Sequence, residues 1–457
     1  MGNLLGQHAV VIGGSVTGLI TARVLADHFT HVTVLDRDDI DEYPAIHKSI
    51  PQGNHYHAVL LGGQQVLASL YPGFLAILRS FGAVPIRIGE EMVWYLPDGK
   101  AYSASATPMR TPQYLGFEVH SQSRGVIEHC VRKCTLALAN VKCESGRVVQ
   151  GLLYENKHVH GVRYAHAGKV EALAADLVVD AGGRGSHAPR WLTALGFQPP
   201  RETAIGVDIG YASTKYRVPA AYDEPERMQV FLGPPPQFTN GAILGEIENH
   251  TWHVTLVGRF GQYPPTDEAG FLAFAKSLHT PRLYNLLKDA ERVADLVQYR
   301  FPSSLRRHYE HLTAFPEGFL VLGDAICSFN PVYGQGMSVA ALQVRALQQL
   351  LTERGAEAHG LNGLALAFFP QAAEVILTPW ALAVGQDLAY PQTTGERPPN
   401  MAESAQYFAA LNAVALEDRE VHRLLGEVFQ LAKPLSVLME EPLRNRVLAQ
   451  LQKQVSV

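Results

Sequence analysis

Residues 8–18 read His8-Ala9-Val10-Val11-Ile12-Gly13-Gly14-Ser15-Val16-Thr17-Gly18, and the chain returns to an apolar run at Val32-Thr33-Val34-Leu35-Asp36. Between the two runs, Leu19-Ile20 and Val24-Leu25 recur at helical spacing, so residues 8–36 predict strand, tight turn, helix and strand. The turn chemistry narrows the reading. Gly13 permits a sharp turn, Gly18 lets the helix pack close on the strand, and Asp36 closes the second strand 23 positions after Gly13. In such a unit the free N–H groups at the helix start face a pyrophosphate, and the strand-end acid accepts from a ribose hydroxyl. Gly13, Gly14, Ser15, Gly18, Asp36 and the adjacent Arg37 are therefore candidate ligands of a dinucleotide. Ser15 stands where the pattern has its second glycine, which puts a β-carbon on the phosphate side. The fingerprint by itself does not separate NAD from FAD.

Downstream of this unit lies a loop with His47, His55 and His57, then a helix near 62–81. Alternating aromatic and polar residues over 92–118 predict antiparallel strands, a helix follows near 124–139, and Leu177-Val178-Val179-Asp180 returns the chain to a parallel sheet. From about 200 to 300 the alternating stretches 205–211, 228–232 and 252–257 are separated by Pro and Gly clusters, which predicts a separate antiparallel sheet. Phe319-Leu320-Val321-Leu322 then runs into Gly323-Asp324, and helical periodicity holds from about Gln335 onward. The fold class is α/β: a Rossmann-like unit (1–82, 119–190, 315–352) interleaved with an antiparallel-sheet unit (83–118, 191–314), plus a helical C-terminal segment (353–457). The run Gly183-Arg184-Gly185 follows a strand, but Pro199-Pro200 leaves too little helix for a second crossover, so it reads as a loop into the second unit.

Composition sets the outer limits. The 457 residues suffice for two or three domains at roughly 100–200 residues each, and 47% apolar with 18% charged residues is an ordinary folded composition. Lys+Arg 38 against Asp+Glu 43 gives a net charge of −5 with no basic stripe, which argues against nucleic acid as a partner. Apolar stretches are interrupted short of the ~20 residues a span needs, so no membrane span is expected. Cys130, Cys134, Cys143 and Cys327 form no CxxC pair and read as reduced thiols of a cytoplasmic protein. Cys130 and Cys134 lie one helical turn apart beside His129, and they read as small residues of a buried helix face rather than a metal site. No carboxylate completes a ligand set around the three loop histidines; no metal is assigned.

The segment Gly323-Asp324-Ala325-Ile326-Cys327-Ser328-Phe329-Asn330-Pro331-Val332-Tyr333-Gly334-Gln335-Gly336-Met337-Ser338 decides between the nucleotides. Asp324 at a strand end is placed for a polyol hydroxyl, and Gly334-Gln335-Gly336-Met337 opens a long helix whose N–H groups suit a ligand gaining negative charge. The segment resembles the second FAD signature of group A flavoprotein monooxygenases, the class of p-hydroxybenzoate hydroxylase and squalene epoxidase. The runs 51–58, 180–186 and 315–319 look most like the subgroup of the lasalocid and monensin polyether epoxidases. The resemblance extends to about residue 390.

It implies FAD in the Rossmann-like unit, with Arg124 near the pyrophosphate, Val148 near the adenine, and Asp324, Gly336 and Met337 holding the flavin end. His57, Pro331, Gly334, Gln335 and Gly336 would face the flavin, and Trp94, Tyr95, Phe117, Tyr211, Phe231 and Trp252 would line the substrate pocket; each of these aromatics is equally well read as core. The implied activity inserts one oxygen atom from O2, through a flavin C4a-hydroperoxide, into a lipophilic alkene or aromatic substrate of secondary metabolism. NADPH or NADH would be the reductant, directly or through a flavin reductase partner, because Ala181-Gly182-Gly183 lacks the Asp that many of these enzymes carry. Cys327 replaces a frequent His and receives no role. The Trp-x-Trp-x-Ile-Pro of tryptophan halogenases and the Gly-x-Ser-x-Gly of hydrolases are absent. A prenyl or polyketide reductase and a non-enzymatic flavin sensor share the FAD motifs and remain open, as does the oligomeric state.

Overall fold

The structure is a computed structural model and is described for residues 4–39, 51–97, 101–104, 108–109, 113–357 and 360–455. His47 lies outside the described residues. Five parallel strands run in the order Phe319–Val321, Leu177–Asp180, Gly6–Ile12, Phe29–Leu35, Val141–Glu144. Their Val and Leu side chains are buried because both faces are covered. The helices Val16–Leu25, Arg124–Leu136 and Gly336–Glu357 pack together, and the three-stranded sheet Val148–Glu155, His158–His166, Lys169–Ala174 packs against the strand Leu177–Asp180.

The glycines of the first turn act as their positions require. Gly13 has φ +102°, and a β-carbon on Gly18 would lie 1.8 Å from the Gly13 carbonyl oxygen. After Asp180 the chain makes the short turn Gly183–Gly185 and the helix Ala188–Ala194, then enters the other sheet at Glu202.

That second sheet has nine strands among the described residues, ordered Cys327–Ser328, Val297–Arg307, Glu202–Arg217, Thr251–Arg259, Gly241–Ile247, Met228–Val230, Met92–Tyr95, Ala101–Ala104, Pro108–Met109. All neighbours are antiparallel except Met228–Val230 with Met92–Tyr95. Register places Tyr299, Tyr211 and Val257 in one row and Ser213, Thr255 and Ile243 in the next, all on one face by the period of two. The alternate residues Ala212, Tyr216, Leu244, Trp252, Val254 and Leu256 face the other way, onto Phe271, Leu283 and Leu287 of the helices Glu268–Lys276 and Arg282–Leu287.

Two sequence readings are corrected. The single helix near 62–81 is two, Leu61–Leu70 and Phe74–Ser80, bent by 106°, because Pro72 cannot continue the hydrogen-bond ladder and Gly73 takes φ +80°. Against the expectation that every apolar stretch is interrupted short of a span, Leu364–Asp387 is one helix, with Pro370 and Pro379 inside it, long and apolar enough by length and composition to cross a membrane. Here it packs as a core helix: Phe368, Phe369, Ala372 and Ile376 are buried with the parallel-sheet core. That packing offsets the backbone bonds the prolines remove.

Candidate functional site

The turn Gly13–Ser15 meets the start of the helix Arg124–Leu136. The Arg124 guanidinium donates to the Ser15 hydroxyl at 2.9 Å and to the Glu128 carboxylate at 2.8 Å, and the Ser15 hydroxyl donates to Glu128 at 2.5 Å. The serine that departs from the glycine pattern is thus bound into an Arg–Glu pair. Sequence reading missed Glu128, which is buried; an acid one turn after a basic residue on a helix reads as an ordinary surface pair. The Asp36 carboxylate accepts from the Gly14 N–H at 2.5 Å and the Asp38 N–H at 2.8 Å. Arg37 is exposed at this strand end. Arg147 N–H donates to the Asp36 carbonyl at 2.7 Å, which brings the exposed Val148 to the Asp36 edge.

At the end of the strand Phe319–Val321, Gly323 has φ +70° and sets Asp324. Burial pushes the Asp324 carboxyl up to about 6, against the pull of Arg124 and Arg184. Gly334 has φ +64° and turns the chain into the helix Gly336–Glu357, whose second residue is Met337. A β-carbon on Gly336 would meet Asp324 Oδ1 at 3.6 Å and nothing closer, so the helix start is open on the Asp324 side.

Both polar atoms of the buried Gln122 amide, Arg124 Nε and Gln335 Oε1 have no hydrogen-bond partner. Buried polar atoms are seldom left so. Donors and acceptors on the segments 122–124 and 335, an arginine beside a helix N-terminus and acids at Asp36 and Asp324 fit a ligand with phosphates at its middle and hydroxyls toward both ends. A bound FAD fits this donor set.

Beside the helix start, a small cavity of about 20 Å³ is lined by the 55–57 loop, by Pro331 and Val332, and by Tyr211, Tyr299, Ile243, Thr255 and Val257 of the large sheet. His55 Nδ1 lies 2.7 Å from the Ser213 hydroxyl, and burial pulls the imidazole down to about 4. His57 Nδ1–H donates to the His55 carbonyl at 2.7 Å; burial first, then the Arg124 charge, pulls His57 down to about 3, so it is neutral. The Tyr211 hydroxyl donates to the Asn330 side-chain oxygen at 2.8 Å. Asn330 and Tyr333 in turn donate to Asp387 Oδ1 at 2.9 and 2.8 Å, and Arg259 pairs with the same oxygen at 3.2 Å.

The expected pocket residues separate by face. Tyr211 and Pro331 line this cavity, with His57. Trp252 and Phe231 are fully buried on the helix-covered side of the sheet, where Tyr95 stacks on Phe231 at 5.0 Å; for these three the core reading replaces the pocket reading. Trp94 donates from Nε1 to the Leu232 carbonyl at 2.7 Å and, with Phe117, packs in a separate cluster around Ile86, Ile88 and Leu115. Sequence reading weighed His55 only as one of three loop histidines and gave no role to Ser213, Tyr299 or Thr255; alternation marks which residues share a face but not which face meets the cofactor unit. Of the cysteines, buried Cys130 has its thiol pushed up to about 12, which keeps it protonated. Elsewhere, ligand atoms of His308, Glu310 and His311 come within 4.8 Å of one another, with Glu310 already paired to Arg306 at 2.7 Å.

No protein-family model matches the chain. The fold is shared with solved flavoproteins at low identity. A flavoprotein/dehydrogenase from Cytophaga hutchinsonii has a TM-score of 0.69 at 13% identity, over 98% of this chain and 100% of that one. The flavin-dependent brominase Bmp2 has a TM-score of 0.67 at 14% identity, over 98% and 100%. PqsL, a probable FAD-dependent monooxygenase from Pseudomonas aeruginosa, has a TM-score of 0.59 at 16% identity, over 84% and 97%. In sequence, Protein Rv3254 of Mycobacterium tuberculosis is 30% identical over 452 residues, covering 97% of this chain and 93% of its own length. With a flavoprotein fold and that extent of identity, the chain belongs to the family of Protein Rv3254.

Proposed function

We propose that the chain is an FAD-dependent monooxygenase that transfers one atom of O2 to a lipophilic alkene or aromatic substrate, by epoxidation or hydroxylation. The observation that carries this reading is the junction of two features. The dinucleotide turn with Asp36 and Arg124 stands near Asp324, whose carboxyl feels the Arg124 charge, and near the open helix start of Gly336; beside that helix start lies a small, mostly apolar, aromatic cavity. Bound FAD would supply the redox chemistry and the activation of oxygen.

The chain's own residues do the rest. Arg124 and the N-terminus of the helix Val16–Leu25 bind the pyrophosphate, Asp36 the ribose, and Asp324 the ribityl hydroxyls. N–H groups at the start of the Gly336 helix stabilise negative charge beside them. Tyr211, Tyr299, Ile243, Val257 and Pro331 exclude water and orient the substrate. Neutral His57, beside Arg124, adds no second positive charge there.

Reduction by NADPH or NADH, direct or through a partner reductase, is part of the same proposal. Asp180 does not replace the missing motif acid, since its carboxylate accepts from Gly182 N–H at 2.8 Å and the Ser186 hydroxyl at 2.6 Å within its own loop. The experiment is turnover of lipophilic alkenes and phenols under isotopically labelled dioxygen with NADPH and a flavin reductase present. One labelled atom in the product and one in water is the expected result; a product without label, or reduced rather than oxygenated, moves the assignment to a flavin reductase or dehydrogenase.

A further inference from the structure

Ser15 stands at the N-cap of the helix Val16–Leu25, with φ −81° and ψ −176°. A serine at that position ordinarily turns its hydroxyl back to accept the second or third N–H of its own helix. Here the side chain makes no capping bond. Its hydroxyl is taken up across the fold instead: it donates to Glu128 Oε1 at 2.5 Å and accepts from Arg124 Nη2 at 2.9 Å, and the same nitrogen donates to Glu128 Oε1 at 2.8 Å. This ring of hydrogen bonds is interior, with Glu128 3% and Arg124 9% exposed. Arg124 Nε, buried at the same place, has no hydrogen-bond partner, so the guanidinium retains a donor for a ligand at this turn.

The ring holds the serine oxygen toward the helix Arg124–Leu136, away from the N–H groups that open the helix Val16–Leu25. The first N–H groups of a helix have no acceptor within it, and they are the donors that bind the pyrophosphate of a dinucleotide. A serine that capped them would compete with the phosphates for the same donors. Glycine at this position brings no such competitor. A carboxylate beside a phosphate site would weaken it, but Glu128 is paired with Arg124 and the pair adds no net negative charge.

We propose that Glu128 is a positioning residue for the cofactor's phosphates: it holds the Ser15 hydroxyl out of the capping position and keeps Arg124 at the turn, so that a turn with serine in place of glycine keeps its anion site open. Glu128 acts through these two side chains and does not itself touch the cofactor. The proposal rests on the reading of this turn as the pyrophosphate site of FAD.

The test titrates flavin-free protein with FAD, with riboflavin, which has no phosphate, and with ADP, which has the pyrophosphate and no flavin. Glu128→Ala frees the serine to cap its helix and should weaken FAD and ADP roughly tenfold while leaving riboflavin unchanged. Glu128→Gln keeps an oxygen that accepts from both partners and should bind FAD within about threefold of the unsubstituted protein. The double variant Ser15→Gly with Glu128→Ala lacks the competing hydroxyl and should recover FAD binding, which a role confined to packing would not produce. Ser15→Gly alone leaves Glu128 in place and should bind FAD no more weakly than the unsubstituted protein; a loss of roughly tenfold would show that the hydroxyl itself holds phosphate. That loss, an equal loss of riboflavin in Glu128→Ala, unchanged FAD affinity in that variant, weak FAD binding in Glu128→Gln, or a double variant as weak as Glu128→Ala would each overturn the proposal. Protein that shows the pattern with ADP but takes up no flavin contradicts the monooxygenase reading and leaves Glu128 standing, whereas FAD bound without the pattern does the reverse. Uptake of neither FAD nor ADP overturns both.

Discussion

Asp324 holds a carboxyl that burial raises to about 6 from an ordinary 3.8, with Arg124 and Arg184 opposing the shift. A carboxyl raised in the folded state binds its proton more tightly there than in the unfolded chain. It therefore lowers stability as pH climbs from about 4 through about 6, and the deficit is complete above that. Asp324→Asn should raise the Tm of FAD-free protein at about pH 8 and leave it unchanged at about pH 4, as read by thermal unfolding at both values. The same substitution removes a charge-assisted acceptor for the ribityl chain and should weaken FAD binding by roughly ten- to a hundredfold. A Tm gain of equal size at both pH values would show that the carboxyl is not held protonated by its site. Glycine at 336 gives a second residue-scale test, because the nearest atom to an added β-carbon is Asp324 Oδ1 at 3.6 Å. Gly336→Ala should fold with an unchanged Tm when FAD-free yet bind FAD more weakly, as checked by flavin fluorescence titration.

At the scale of the element, the large sheet divides its aromatics between two jobs. Trp252 points to the helices Glu268–Lys276 and Arg282–Leu287, away from the cavity, and is fully buried. Trp252→Ala should cost about 3–5 kcal/mol in chemical denaturation while leaving the affinity for FAD unchanged. A loss of flavin affinity without loss of stability would put Trp252 back in the pocket. This division explains how far the sequence was legible. The strand, turn and helix of residues 6–25 could be read because buried parallel strands are continuous apolar runs, and because the close approach at Gly18 is a local requirement. Alternation in 205–211 and 252–257 likewise revealed two-faced strands. It could not reveal that the Tyr211, Ser213 and Thr255 face meets the 55–57 loop, since that contact joins segments about 150 to 200 residues apart and depends on how the two sheets pack. The break at Pro72-Gly73 was visible in the residues and was overridden by the apolar spacing on either side of it.

Across the whole molecule, one buried network ties together parts that are distant in sequence. Arg259 of the large sheet, Asn330 and Tyr333 of the turn before the Gly336 helix, and Asp387 at the end of the helix Leu364–Asp387 converge on a single carboxylate oxygen. Asp387 is fully buried and Arg259 nearly so; removing the acid leaves an uncompensated cation in the interior. Asp387→Ala should destabilise the protein by about 3–5 kcal/mol and open the C-terminal helices to proteolysis before the parallel sheet, whereas an unchanged digestion pattern would mean the network does not hold that segment in place. Holding the 330–333 turn also fixes the helix start beside the cavity. The proposed activity requires FAD bound between the Gly13–Ser15 turn and the Gly336 helix start. Denaturing the purified protein and identifying the released chromophore tests this most directly: about one non-covalent FAD per chain is predicted, and release of FMN, of NAD alone, or no flavin uptake on incubation with FAD would contradict it.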